Sequence, residues 1–195
     1  MFDQFLSFFQ LGLFHILDLT SWDHILFLVV LSVPFTFDHW KRLFVWLAVF
    51  TLAHFVALLL VYLSIIKVST LSLSFLIPMI ILIIAFYNVL KIRRNYNTGY
   101  VGFLFVLSLI LGAIHGFASI DTFANQLNTE SAVYVNMVSF NVGLLMGQVL
   151  VSILVLILGF LGQTLLRFSR RDWVLFTSAL VMGLVIPMLI KHYPW

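Results

Sequence analysis

Long apolar runs separated by short polar breaks make up almost the whole chain. A helix needs about 20 apolar residues to cross hydrocarbon about 30 Å thick, and six runs come near that length. We predict membrane-spanning helices near residues 22–37, 43–66, 71–90, 100–119, 133–160 and 173–190. The first is the shortest, since it would reach only about 24 Å at 1.5 Å per residue.

A further apolar stretch, residues 2–17, precedes these runs and carries Asp3, Gln4 and Gln10. It suits an interfacial helix, a re-entrant piece or a seventh span. Thr20 or Ser21 can cap the helix that follows, because their side chains accept hydrogen bonds from first-turn N–H groups. We therefore predict an all-α integral membrane protein, a compact bundle of six transmembrane helices plus this N-terminal helix, in one domain of residues 1–195.

The composition excludes a soluble domain. The chain is 63% hydrophobic and 9% charged, whereas an ordinary soluble domain is about 25% charged. The expected surroundings are therefore the lipid bilayer, and we expect no nucleic-acid partner. The chain has no cysteine, so any metal ion would be held by histidine nitrogen, carboxylate or amide oxygen.

Cationic residues predict the orientation of the helices. Eight of the ten Lys and Arg residues fall in alternate loops: Lys41, Arg42, Lys91, Arg93, Arg94, Arg167, Arg170 and Arg171. Basic loops stay on the cytoplasmic side of a membrane. We therefore predict a multi-pass protein of the cell inner membrane, with these loops cytoplasmic and the C-terminus extracytoplasmic.

Polar side chains inside the apolar runs are the candidates for function, since an ionisable group in hydrocarbon costs several kcal/mol. With the predicted orientation, His24, His115 and Asn141 lie in the outer part of three different spans, and His54 lies near the middle of a fourth. We expect these residues to converge on one site in the outer half of the bundle. The inner half has few polar groups, which leaves a path through it unexplained.

Helical spacing adds further expectations. Asn141 and Gln148 are seven residues apart and share one helix face. Gly112 with Gly116, and Gly143 with Gly147, are pairs that allow close helix packing. We expect this packing to bring His115 and Asn141 into one cavity.

The N-terminal stretch adds His15 and Asp18 to the candidates. If this stretch folds back against the bundle, both side chains would face Asp23 and His24. Neutral imidazole and carboxylate suit nickel, cobalt, copper or zinc, and spacing does not select among these metals. Asp23 has a second reading, in which it fixes the tautomer of a ligating histidine.

Four strings carry a resemblance to a known family. They are GLFHILDLTSWDHILFL (Gly12–Leu28), FTLAHF (Phe50–Phe55), GAIHGFA (Gly112–Ala118) and FNVGLLMGQ (Phe140–Gln148). In this order, they resemble the HupE/UreJ family of small membrane proteins over about four fifths of the chain. The resemblance implies a bundle of six or seven spans and a role in nickel or cobalt uptake.

By position, the resemblance also implies a set of functional residues. The metal-associated residues would be His15, Asp23, His24, His54 and His115. Asn141 and Gln148 would belong to the family's polar helix motif. Asp18, Asn141 and Gln148 are expected as supporting or path-lining residues.

Three functions remain open at this level. The first is a permease for a divalent transition metal. The second is an intramembrane metal-dependent hydrolase, since three histidines with an open fourth position can activate water. The third is a metal-binding accessory or delivery subunit of another membrane complex. Assembly into a homo-oligomer also stays open.

Overall fold

The computed structural model describes residues 2–18, 22–67, 70–91, 99–127 and 132–193. Eight α-helices are present within these ranges, with a 3₁₀ turn at Phe37–His39 between the second and third. They are α1 (Phe2–Leu17), α2 (Trp22–Ser32), α3 (Trp40–Tyr62), α4 (Thr70–Lys91), α5 (Gly99–Ala118), α6 (Ile120–Asn125), α7 (Val133–Thr164) and α8 (Arg170–Lys191). The all-α prediction is confirmed.

Four helical segments are long and apolar enough to cross a membrane: Phe37–Tyr62, Leu73–Lys91, Val133–Thr164 and Arg170–Lys191. The bent pair α1 and α2 would make a fifth span if the two helices cross together. The described apolar part of α5, Gly102–Ala118, is shorter than these segments. The molecule is a multi-pass helical membrane protein, and the predicted number of six spans is not confirmed.

The span predicted at residues 22–37 is shorter in the structure. Its helix, α2, has 11 residues and ends at Ser32, which corresponds to about 16 Å. Pro34 follows two residues later, and the residue before a proline is disfavoured in helical conformation. The α2 helix is therefore too short to cross a bilayer without α1.

The N-terminal helix α1 packs along α7. A Cβ atom on Gly12 would collide with the Phe140 carbonyl, and one on Gly143 would collide with the Phe9 carbonyl. Glycine therefore permits this close approach of the two backbones. The Ser139 hydroxyl donates to the Phe5 carbonyl of α1.

These contacts advance in the same direction along both helices, so α1 and α7 are parallel. The α2 helix then continues toward the far end of α7, where the hydroxyls of Ser32 and Ser152 are 3.1 Å apart. The axes of α1 and α2 differ by 72°. The α1–α2 pair therefore has the form of a broken span or of a re-entrant loop. The predicted cap at Thr20 or Ser21 lies outside the described residues.

The helices α3 and α5 form a second parallel pair. A Cβ atom on Gly112 would collide with the Phe50 carbonyl, and one on Gly116 would collide with the His54 carbonyl. The two glycine pairs therefore serve different neighbours, α5 against α3 and α7 against α1.

Most of the basic residues lie at one end of the bundle, which we call the basic end, whereas Lys67 and Lys191 follow or end helices at the opposite end. The Arg170 guanidinium, at the start of α8, donates to the Pro34 carbonyl at 2.6 Å. The Asn88 amide, near the end of α4, donates to the Val30 carbonyl at 2.7 Å. These contacts bring the ends of α2, α4 and α8 together. Of the predicted basic loop residues, Arg93 and Arg94 lie outside the described residues.

Candidate metal centre

Three side chains from two helices meet away from the basic end. Asp23 and His24 begin α2, and His115 lies in the last turn of α5. Each residue has one potential ligand atom that lies within 4.8 Å of such an atom in the other two. Among the described residues, this is the group of ionisable side chains close enough to share one metal ion. His24 is 7% exposed and His115 is 2% exposed. We call these three residues the metal group.

The His115 ring is oriented by its own helix. Its Nδ1 lies 3.1 Å from the Leu111 carbonyl. A carbonyl oxygen only accepts hydrogen bonds, so Nδ1 carries the proton and, in a neutral ring, Nε2 keeps its lone pair. Nε2 lies 3.8 Å from Asp23 Oδ2 and has no hydrogen-bond partner among the described residues. This tautomer is the one that a metal ligand needs.

Asp23 and His24 are held at the N-terminus of α2. Asp23 Oδ1 lies 3.1 Å from His24 Nδ1, and Oδ2 faces His115. A helix N-terminus carries partial positive charge, which stabilises the Asp23 carboxylate. The carboxylate therefore lies between two imidazole rings. It can bind a metal ion directly or fix the tautomer of His24.

His15 approaches the metal group from the last turn of α1. Its ring centroid is 4.6 Å from that of His24, and the ring is only partly buried. A helix C-terminus carries partial negative charge and favours a cation nearby. The break between α1 and α2 thus places two opposite helix ends beside one cluster of ionisable side chains, a feature that transporters use for ion sites.

Asp18 is exposed and lies at the edge of this arrangement. A cavity of about 360 Å³ is lined by His15, Asp18 and Thr122, together with Leu11, Phe14 and Leu17. The structure therefore brings Asp18 near His15. It does not place Asp18 in the metal group.

His54 is fully buried and uses both ring nitrogens for hydrogen bonds. Nδ1 lies 2.9 Å from Asn141 Oδ1, and the Asn141 amide nitrogen donates to the Met137 carbonyl at 2.9 Å. This second bond fixes the amide, so His54 Nδ1 is the donor to Oδ1. Nε2 lies 3.0 Å from Ser119 Oγ. A direct ligand role for His54 would require one of these two bonds to open.

Ser119 connects His54 to the metal group. Its hydroxyl also lies 2.7 Å from the carbonyl of His115, to which it can donate. The sequence analysis did not single out this serine, because a serine just after a helix gives no sign of a partner 65 residues away. The link between His115 and Asn141 therefore runs through Ser119 and His54.

Aromatic rings enclose the histidines on two sides. The Phe50 ring centroid is 5.5 Å from that of His115 and 6.5 Å from that of His54. The Phe140 centroid is 5.9 Å from those of His15 and His54. These rings reduce the water around the site, which strengthens electrostatic interactions within it. Both were missed because phenylalanine is abundant throughout the chain.

A larger cavity of about 710 Å³ reaches Asp23 from the side of α4 and α8. Its lining includes Pro78 and Pro187, which lack the N–H that normally bonds the carbonyl four residues earlier. Those earlier residues, Ser74 and Gly183, line the same cavity. Asp23 therefore borders both the metal group and this cavity.

Gln148 lies further along α7, toward the basic end. Its amide is 3.3 Å from the hydroxyl of Thr51, and both side chains are buried. The structure thus places Gln148 outside the metal group and one helical turn of α3 beyond His54.

Comparison with known proteins identifies the family. The family model described as HupE / UreJ protein matches residues 1–192. The chain belongs to the HupE/UreJ family. No curated protein and no solved structure matched the chain. The family match covers all eight described helices and every candidate residue of the metal centre, so the bent α1–α2 pair and the metal group both lie within the HupE/UreJ region.

Proposed function

We propose that this HupE/UreJ protein transports a divalent transition metal ion, with nickel or cobalt as the favoured cargo. The family resemblance supports these two metals. The ligand chemistry is compatible with them, since imidazole nitrogen and carboxylate oxygen also suit zinc and copper. The cargo ion is the substrate of the protein.

The observation that carries the proposal is the metal group at the break of a span. A buried Nε2 of His115, held in the ligating tautomer, faces a carboxylate that a helix N-terminus stabilises. Ionisable groups inside a membrane are costly and usually mark an ion path. Broken helices at such groups are typical of secondary transporters.

In this proposal Asp23, His24 and His115 bind the ion, and His15 supplies a fourth ligand from α1. His54 acts as a positioning residue, because its bonds to Asn141 and Ser119 hold α3, α5 and α7 around the group. Neutral imidazoles can bind the ion, so binding competes with protons.

The direction of transport follows from the charges. We place the basic end in the cytoplasm of the cell inner membrane, since basic loops stay on that side. The metal group and the 710 Å³ cavity then lie in the extracytoplasmic half. The ion would enter beside Asp23, lose part of its water at the metal group and leave toward the basic end, driven by its gradient or the membrane potential.

Uptake of Ni²⁺ into proteoliposomes tests the proposal. We expect His24→Ala and His115→Ala to lower the initial uptake rate at least tenfold and to weaken Ni²⁺ binding. His39→Ala is the matched control, because His39 is exposed in the 3₁₀ turn, and it should transport like the wild type. Stoichiometric binding of Ni²⁺ by a wild-type protein that shows no uptake would contradict transport.

The large cavity beside Asp23 favours one alternative, an intramembrane metal-dependent hydrolase. A three-ligand metal with an open position can activate water, and a cavity of about 710 Å³ can hold a substrate. This function predicts a resident metal that survives dialysis. Cargo should instead exchange freely, so retention of one metal ion per chain after extended dialysis would favour the enzyme.

A further inference from the structure

Four buried polar side chains form a line from the middle of the bundle toward the basic end. Thr51 contacts Gln148 at 3.3 Å, and Ser152 contacts Ser32 at 3.1 Å. Gln148 and Ser152 are four residues apart, so they share one face of α7. We call Thr51, Gln148, Ser152 and Ser32 the polar column. It joins α2, α3 and α7.

The hydroxyl of Thr51 decides how the Gln148 amide is oriented. In the structure Gln148 Oε1 lies 3.3 Å from the Thr51 hydroxyl, from which it can accept, and the same hydroxyl lies 3.0 Å from the Leu47 carbonyl. The hydroxyl carries one proton, so it donates to one of these two oxygens at a time. When the proton bonds the closer acceptor, Leu47, the hydroxyl oxygen can only accept from Gln148. A half-turn of the amide then lets Nε2 donate to Thr51 and presents Oε1 on the opposite side, which Nε2 occupies in the structure.

That opposite side of the amide has no hydrogen-bond partner among the described residues, although Gln148 is 0% exposed. An unpaired buried polar group costs about 1–3 kcal/mol. The unpaired amide atom therefore indicates a position where a passing polar partner completes the contacts.

The position of the column fits a path that starts at the metal group. Thr51 lies three residues before His54 on α3, a rise of about 4.5 Å, and Gln148 lies seven residues after Asn141 on α7, about 10 Å. Ser32 is eight residues beyond His24 on α2, about 12 Å. All four side chains are at most 8% exposed, so the column is separated from lipid.

We propose that the polar column is a second cation station, in which the Gln148 amide oxygen and the neighbouring hydroxyls receive the metal ion after the metal group. The inference rests on the proposed transport function. Neutral oxygen ligands bind nickel or cobalt more weakly than imidazole and carboxylate do. The column therefore suits release, whereas the metal group suits capture.

Gln148→Met tests the station, because it keeps the side-chain length and removes the amide. We expect Ni²⁺ binding at the metal group to stay within about twofold of the wild type and the initial uptake rate to fall at least tenfold. Gln163→Met is the matched control on the same helix, since the Gln163 amide donates to its own Gly159 carbonyl at 2.9 Å. Wild-type uptake by Gln148→Met, or an equal loss of binding and uptake, would overturn the proposal.

Gln148→Glu separates this inference from the proposed function. A carboxylate added to the oxygen ligands of the column should bind a second Ni²⁺ ion, which equilibrium dialysis of the purified protein would count without any transport assay. Gln163→Glu should still bind one. One bound ion in both variants would overturn the station even if the protein transports. Two ions in Gln148→Glu from a protein that shows no uptake would contradict transport while supporting the station.

Ser152→Ala provides a second variant if Gln148→Met does not fold. It removes one hydroxyl from the same column, and we expect uptake to fall about threefold with unchanged Ni²⁺ binding. Unchanged uptake in this folded variant would count against the column.

Discussion

Around the break between α1 and α2, the buried polar side chains are ionisable, whereas along the polar column they are neutral amides and hydroxyls. The first region combines a carboxylate with imidazoles at two helix ends. The second presents uncharged oxygen atoms from α2, α3 and α7. An ion bound only to the first region would be held tightly. The neutral second region supplies weaker ligands from which it can leave.

Removing the charge of the Asp23 carboxylate should have the largest effect on Ni²⁺ binding, since Asp23 belongs to the ionisable region. We expect Asp23→Asn to weaken Ni²⁺ binding about 100-fold or more, because a charged ligand is lost next to His115. Asp38→Asn, which changes an exposed carboxylate of the 3₁₀ turn, should bind normally. Isothermal titration calorimetry would measure both. A loss of only about tenfold would mean that Asp23 orients His24 without binding the ion.

Loosening the packing of α1 against α7 should have the next largest effect on Ni²⁺ binding, because this packing positions His15. Gly143→Ala would push a Cβ atom into the Phe9 carbonyl, and overpacking of this kind costs about 1–3 kcal/mol. We expect a lower thermal unfolding midpoint and weaker Ni²⁺ binding. Gly102→Ala is the matched control, since its Cβ would meet nothing within 4 Å. Equal behaviour of the two variants would refute the tight α1–α7 contact.

Asn141 lies at the boundary between the two regions. Asn141→Leu removes the acceptor of His54 Nδ1, and we expect Ni²⁺ binding to weaken less than tenfold because His54 positions the helices without binding the ion. Asn125→Leu, at the exposed end of α6, should have no effect. Metal affinity and thermal unfolding should be measured together. A 100-fold loss of affinity with a normal unfolding midpoint would instead assign His54 a direct ligand role.

Ser32→Ala should give the smallest effect, because it removes one neutral hydroxyl from the end of the polar column. We expect Ni²⁺ uptake to fall two- to threefold while binding is unchanged. Ser178→Ala changes another buried serine, on α8, and should leave uptake unaffected. The same loss in both variants would show that the effect is not specific to the column.

The sequence indicated that Asp23, His24 and His115 would lie near one another, and the structure brings these three side chains together. Alternating basic loops assigned a direction to each span, and these directions brought Asp23, His24 and His115 to one level. The end of α2 could also have been predicted from the sequence, since Pro34 disfavours helical conformation in the residue before it. The prediction of residues 22–37 gave more weight to hydropathy than to this proline.

The contacts between helices could not be predicted in the same way. The partners of His54 depend on how α3 rotates against α5 and α7, and one residue of rotation turns a side chain by about 100°. The polar column was overlooked for a related reason. Ser32 and Ser152 are common residue types in membrane helices, and only their packing against each other gives them meaning.

The contact between α1 and α7 links segments made at opposite ends of protein synthesis. Ser139 and Phe5, which form one of its hydrogen bonds, are 134 residues apart. At 5–20 residues per second, roughly 7–27 s separate their emergence from the ribosome. Until α7 enters the membrane, α1 lacks the neighbour that holds His15 beside His24. His15 therefore takes its position beside the metal group only after α7 has been made, whereas Asp23, His24 and His115 come from the earlier helices α2 and α5.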